Sequence, residues 1–174
     1  MKLLNHISFT LLSLTSFSLA QTYDVGDTVS FEDQNMAFEV CYGDYPQDSL
    51  RLSDLNGNSN GGDYHITIIA MQVALWPTWA FTAGLVDSLI NIWSDQSAVS
   101  FVSSVYTMDG EGEYTCETWG ELGEPGIPVL IDTDQFFLWF ILDGYPDFVI
   151  LDQNMVVAYK FAELDFDSVN TQIQ

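Results

Sequence analysis

The 174-residue chain predicts an α/β domain with a central mixed β-sheet, helices flanking it and a hairpin at the C-terminus. Three observations carry this. Residues 65–73, HITIIAMQV, are nearly all apolar and rich in β-branched side chains, as in a strand covered on both faces. From Ala83 the apolar repeat lengthens to about 3.6 residues, with Val86, Leu89, Ile90 and Trp93 on one face of a helix and Asp87, Ser88, Asn91 and Ser94 on the other. Phe148–Leu151, the turn residues Asp152-Gln153-Asn154 and the segment from Met155 to Phe161 then read as strand, turn and strand.

The elements follow in order. Residues 1–20, MKLLNHISFTLLSLTSFSLA, combine Lys2, an apolar run and small residues at the cleavage-type positions, which reads as a secretory signal peptide. The run is broken by Ser13, Thr15, Ser16 and Ser18 and is shorter than the ~20 residues of a membrane span. Residues 21–174 are expected to form one domain that is secreted or periplasmic. Segments 23–27, 37–40 and 50–55 read as extended lead-ins, and NGNSNGGD at 56–63 as a polar turn. Residues 98–106 and 129–131 return to strand character, FFLWFIL at 136–142 reads as buried core with an exposed partner-binding patch as its alternative, and the residues from Ala162 onward as a short helix.

Charge excludes whole classes of partner. Once Lys2 leaves with the signal, Arg51 and Lys160 face 25 acids, a net charge of about −23. Such a surface repels phosphate backbones and anionic lipid, so neither nucleic acid nor a membrane is expected as a partner. A solvated acidic coat is the plain reading of the excess, and a cation-binding surface the sharper one. Cys41 and Cys116 are the only cysteines, an even number in an exported chain, and a structural disulfide is the expectation. No His, Lys or Arg lies beside either one in sequence to depress a thiol pKa.

The order strand, TWxxxA at 78–83, amphipathic helix, strand, GIPVLID at 126–132, GYPDFVILDQNM at 144–155 and closing hairpin resembles the thioredoxin-like superfamily. The nearest branches are the secreted redoxins related to TlpA-type reductases and AhpC/TSA peroxiredoxins. The resemblance runs from about Asp24 to Phe161 and rests on the order of short motifs. It implies a redox centre of the TWCxxC type at the start of the helix, faced by a cis-proline. Here Thr78 and Trp79 match, Ala80 and Ala83 stand where the two cysteines fall, Pro146 matches the proline, and Gln153-Asn154-Met155 match the turn before the last strand. A thiol at a helix N-terminus is made nucleophilic by unpaired N–H groups and the helix dipole, and a second thiol one turn on resolves the mixed disulfide. Alanine does neither, so the resemblance implies a scaffold kept and a redox centre lost. It also implies a client groove lined by Trp79, Phe81, Tyr145 and Pro146, where an extended peptide adds as a strand.

Other chemistry has thinner support. His65, the only histidine past the signal, lacks a second His or a nearby Cys for zinc, and no G-x-S-x-G elbow accompanies it for serine catalysis. The loop 54–63 carries Asp54, Asn56 and Asn58 at alternate positions like a calcium loop, but Ser59 replaces the turn glycine and His65 the bidentate glutamate. The acidic stretch 109–124 reads as a solvated loop tied down by Cys116, with weak calcium binding as its alternative. No cofactor or bound metal is expected. Three functional classes stand: a non-catalytic thioredoxin-fold module that binds a protein or peptide, an oxidoreductase or peroxidase working through Cys41 and Cys116, and an acidic calcium-binding protein.

Overall fold

The computed structural model describes residues 21–75, 77, 80–107, 112–123, 130–140, 142, 147–162 and 166–173. Among these, seven strands form one mixed sheet: β1 (Phe38–Tyr42), β2 (Ser49–Leu50), β3 (Ile66–Val73), β4 (Val99–Tyr106), β5 (Leu130–Asp132), β6 (Asp147–Leu151) and β7 (Val157–Ala162), in the spatial order β2-β1-β5-β4-β3-β6-β7. β3 runs parallel to β4 and β4 to β5, while the β3–β6, β6–β7, β1–β5 and β1–β2 pairs are antiparallel. The helices are α1 (Phe31–Gln34), α2 (Gly57–Asn60), α3 (Phe81–Trp93), α4 (Cys116–Gly120), α5 (Gln135–Phe140) and α6 (Phe166–Ile173).

β3 sits centrally because it can be buried on both sides. Its odd residues Ile69, Met71 and Val73 enter one apolar cluster with Phe136, Phe137, Trp139 and Phe140 of α5. Its even residues Ile68 and Ala70 enter a second cluster with Val86 and Leu89 of α3 and Val169 and Ile173 of α6. The period of 2 along one strand thus separates two cores. α3 and α6 are further joined where Trp93 Nε1 donates to Asn170 Oδ1 at 2.7 Å.

Local chemistry shapes the turns. In the β6–β7 hairpin, Asp152 Oδ1 accepts the N–H groups of Asn154 and Val156, which lets buried Met155 take the left-handed conformation at φ 61°. The segment 56–63, expected as a plain turn, contains α2, because Asn56 caps it by accepting the N–H of Asn58 and Gly61 ends it at φ +102°. Residues 50–55, expected extended, end β2 at Leu50 and close into a 3-10 turn over Leu52–Asp54. The FFLWFIL run is α5 up to Phe140, with Phe136, Phe137, Trp139 and Phe140 buried and Leu138 turned outward. Its helical form escaped the sequence because an aromatic run this short has no readable period. Among the described residues no helix is long and apolar enough to cross a membrane.

Candidate functional site

β3 delivers the chain to the candidate site. After Val73, the Ala74 N–H donates to the Tyr106 carbonyl at 3.1 Å, and α3 starts at Phe81 after the cap residue Ala80. Ala80 has no side chain to cap the helix, and its own N–H donates to the Pro77 carbonyl at 3.1 Å. The cap position of α3 therefore carries a methyl group, which can neither accept the N–H groups of the first turn nor be made nucleophilic by the helix dipole. Ala83 lies in the first turn, 4% exposed, whereas Phe81 is 64% exposed. Of the residues expected around a groove, Phe81 is thus at the surface where α3 begins. Trp79, Tyr145 and Pro146 lie outside the described residues.

Ala83 packs into a third apolar cluster with Ala74, Val105, Cys116 and Trp119, and Cys41, Tyr42 and Tyr114 pack against it. Cys41 on β1 is bonded to Cys116, the first residue of α4, with Cα atoms 6.1 Å apart and a separation of 75 positions in sequence. Cys116 is buried and Cys41 half-buried. α4 forms here because Thr115 caps it, accepting the N–H of Thr118 while the Thr118 hydroxyl oxygen accepts the N–H of Thr115. The stretch 109–124, expected as a solvated loop, therefore contains a helix that buries Trp119.

A redox pair simply replaced by Ala80 and Ala83 is not borne out, because the chain keeps a cysteine pair, and that pair is the Cys41–Cys116 disulfide between β1 and α4. The physical reason is one of placement: α4 brings Cys116 to β1, and the sulfurs lie in the same apolar cluster as Ala83 rather than along the first turn of α3.

Three buried polar residues near this end of the sheet were not singled out from sequence. Gln72 is 1% exposed, and its Oε1 accepts the indole N–H of Trp119 at 2.6 Å. Asp147 opens β6 opposite Met71 and is 1% exposed. Asp87, assigned to the polar face of α3, is instead 2% exposed and lies against Gly123, where any side chain would strike its carboxylate. The helical repeat places Asp87 only relative to α3's own core face, and the segment that covers it comes from far along the chain. Gly112 has a comparable role at the end of β3: a Cβ there would sit 2.6 Å from the Ala74 carbonyl oxygen and 3.0 Å from that of Thr107. Among the described residues no group of three or more His, Cys, Asp or Glu side chains is placed to hold a metal ion.

No protein-family model matches the chain, and no curated protein matches it in sequence. Solved structures do share its fold. A protein described as the thiol:disulfide interchange protein DsbE of Chlorobium tepidum is 11% identical, over 87% of this chain and 96% of that one, with a TM-score of 0.61. A cysteine-to-serine mutant of PrxQ from Xylella fastidiosa is 10% identical, over 88% and 99%, with a TM-score of 0.59. A secreted disulfide oxidoreductase of Mycobacterium tuberculosis, homologous to DsbE of E. coli, is 14% identical, over 83% and 98%, with a TM-score of 0.52. At such identities the likeness establishes the fold and nothing finer. This is a thioredoxin-like α/β fold, with a mixed central sheet flanked by helices.

Proposed function

We propose that this chain is an exported thioredoxin-fold protein that binds an extended protein or peptide segment where α3 begins, without exchanging thiols there. One observation carries the reading: the start of α3 carries Ala80 and Ala83 and no thiol, while both cysteines of the chain are bonded to each other between β1 and α4. Exposed Phe81 beside that turn supplies an apolar contact for a client. Export is supported by the N-terminal pattern of residues 1–20 and by the secreted character of one protein of the same fold. The domain is proposed to span residues 21–174. The test is dithiol-driven reduction of insulin together with thiol counting on the unreduced protein. Background-level turnover and no titratable thiol are expected.

A second reading has its own support. The solved proteins of this fold named above include thiol–disulfide enzymes, and Cys41 of the disulfide is half-buried rather than sealed. In that reading Cys41 accepts the attack of an incoming thiolate and Cys116 leaves. Insulin turnover that disappears in Cys41→Ala would establish it and displace the first reading.

A further inference from the structure

We propose that Ser100, His65 and Asp63 form a separate hydrolytic site that takes acyl groups from activated esters. His65 Nδ1 lies 2.8 Å from Ser100 Oγ, and His65 Nε2 lies 3.2 Å from Asp63 Oδ2. Each ring nitrogen therefore has a different partner. A neutral imidazole carries one proton, and the carboxylate, which only accepts, holds that proton on Nε2. The lone pair of Nδ1 is then directed at the Ser100 hydroxyl. This is the connectivity of nucleophile, general base and orienting acid, with the two ring nitrogens exchanged relative to the usual serine hydrolase arrangement.

The fold builds the array from distant segments. His65 immediately precedes β3 and Ser100 is the second residue of β4, and the parallel register that pairs Ile66 with Val99 and Thr67 with Ser100 brings them together. Asp63 is held by Asn60, whose Oδ1 accepts the Asp63 N–H at 2.9 Å and whose Nδ2 donates to the Asp63 carbonyl at 2.6 Å. The His65 side chain is 14% exposed and that of Asp63 80%, and both His65 and Ser100 are half-buried, so base and nucleophile lie together just below the surface. The array lies at the opposite end of β3 from α3, roughly 26 Å away at ~3.3 Å per strand residue, so it stands or falls independently of the peptide-binding reading.

In the reaction, Ser100 Oγ bonds to the acyl carbon as its proton passes to His65 Nδ1. The bond to the leaving oxygen or sulfur breaks, and that atom takes the proton. Water, deprotonated by the same nitrogen, then releases the carboxylic acid and regenerates the serine. No electrons are exchanged with a third party. Beside the half-buried Ser100 no backbone donor is assigned to the oxyanion, and because a fixed oxyanion donor is worth about 10²–10³-fold, the substrates are those with good leaving groups: aryl esters and thioesters. The formal net charge of −22 favours neutral or cationic acyl donors over anionic ones.

The experiment treats the full chain with a fluorophosphonate probe and, separately, with p-nitrophenyl acetate. Covalent labelling of the peptide containing Ser100 is expected, with release of nitrophenol above the buffer rate. Ser100→Ala should abolish labelling, and His65→Gln should lower its rate by about 100-fold, the scale of general base catalysis. Asp63→Asn, at a position 80% exposed, should leave the thermal melt unchanged yet lower the rate about tenfold, and so report on the array even if Ser100→Ala unfolds. An unlabelled natural protein, labelling elsewhere than Ser100, or labelling unaffected by Asp63→Asn would each overturn the proposal.

Discussion

The indole N–H of Trp119 donates to Oε1 of Gln72 at 2.6 Å, and both side chains are 1% exposed. The bond fastens α4 to the central strand, and among the described residues Nε2 of Gln72 has no partner. Trp119→Phe should leave the Gln72 carboxamide wholly unpaired and cost about 3 kcal/mol, from a desolvated acceptor and lost packing. Adding Gln72→Leu to it should restore about 1 kcal/mol or more, since an apolar pair leaves nothing unsatisfied. Urea denaturation of the two variants measures the difference. Equal midpoints would show that the polar pair does not act as a unit.

The Cys41–Cys116 disulfide closes a loop of 75 residues, which on the chain-entropy model is worth about 4 kcal/mol. Cys41→Ala with Cys116→Ala should lower stability by ~2–5 kcal/mol. Digestion of the unreduced natural protein should yield one peptide pair joined by a disulfide, and alkylation before reduction should label neither cysteine.

Ala80→Cys with Ala83→Cys tests the register on which the peptide-binding reading depends. Ala80 caps α3 and Ala83 lies in its first turn, so the new thiols should oxidise readily to a disulfide. The thiol at position 80 should titrate below the ordinary value of about 8.5, because the 13-residue helix favours its thiolate. Dithiol-driven insulin reduction should then appear. Two thiols that stay unpaired under mild oxidation would displace the register.

Alkaline stability has a defined window. Burial, then the carboxylate of Asp54, pushes Tyr45 up to about 12, and burial with the hydrogen bond to Asp33 raises Tyr23. The folded chain favours both phenols neutral, so their contribution is fully present below the ordinary tyrosine value of about 10 and is lost as pH rises through the raised ones. The thermal midpoint should fall from about pH 10 towards pH 12, more steeply in the natural protein than in Tyr45→Phe. Identical slopes would remove Tyr45 from the account.

What was legible in the sequence was what repeats locally. β3, α3, β4 and the β6–β7 hairpin could be read because their periods of 2 and about 3.6 run through enough residues to be seen. α1, α2 and α4 are four, four and five residues long and depend on the caps Ser30, Asn56 and Thr115, single side chains that resemble ordinary polar loop residues until their partners are known. The candidate site divides in the same way. The position of Ala80 and Ala83 at the start of α3 follows from the end of one period and the beginning of another. The burial of Asp87, the Trp119–Gln72 bond and the meeting of Ser100 with His65 depend on contacts between residues 35 or more apart. Length of separation, more than residue type, set the limit.

The first described segment is fastened to the last hairpin. Gly26 N–H donates to the Val157 carbonyl and Val157 N–H to that of Asp27, Val29 N–H donates to the Met155 carbonyl, and Lys160 Nζ donates to the Tyr23 carbonyl across 137 residues. Residues 23–29 therefore wait for residues 155–160, more than 120 positions later, before their backbone groups find partners. β3, an interior strand of the sheet, waits for β6 as well. Such non-local closure makes folding slow relative to helical domains of the same size, and it cannot be completed before β6 and β7 have been synthesised. An unfolded chain awaiting β6 and β7 has to stay soluble meanwhile, and the excess of like charge suits that interval by keeping chains apart.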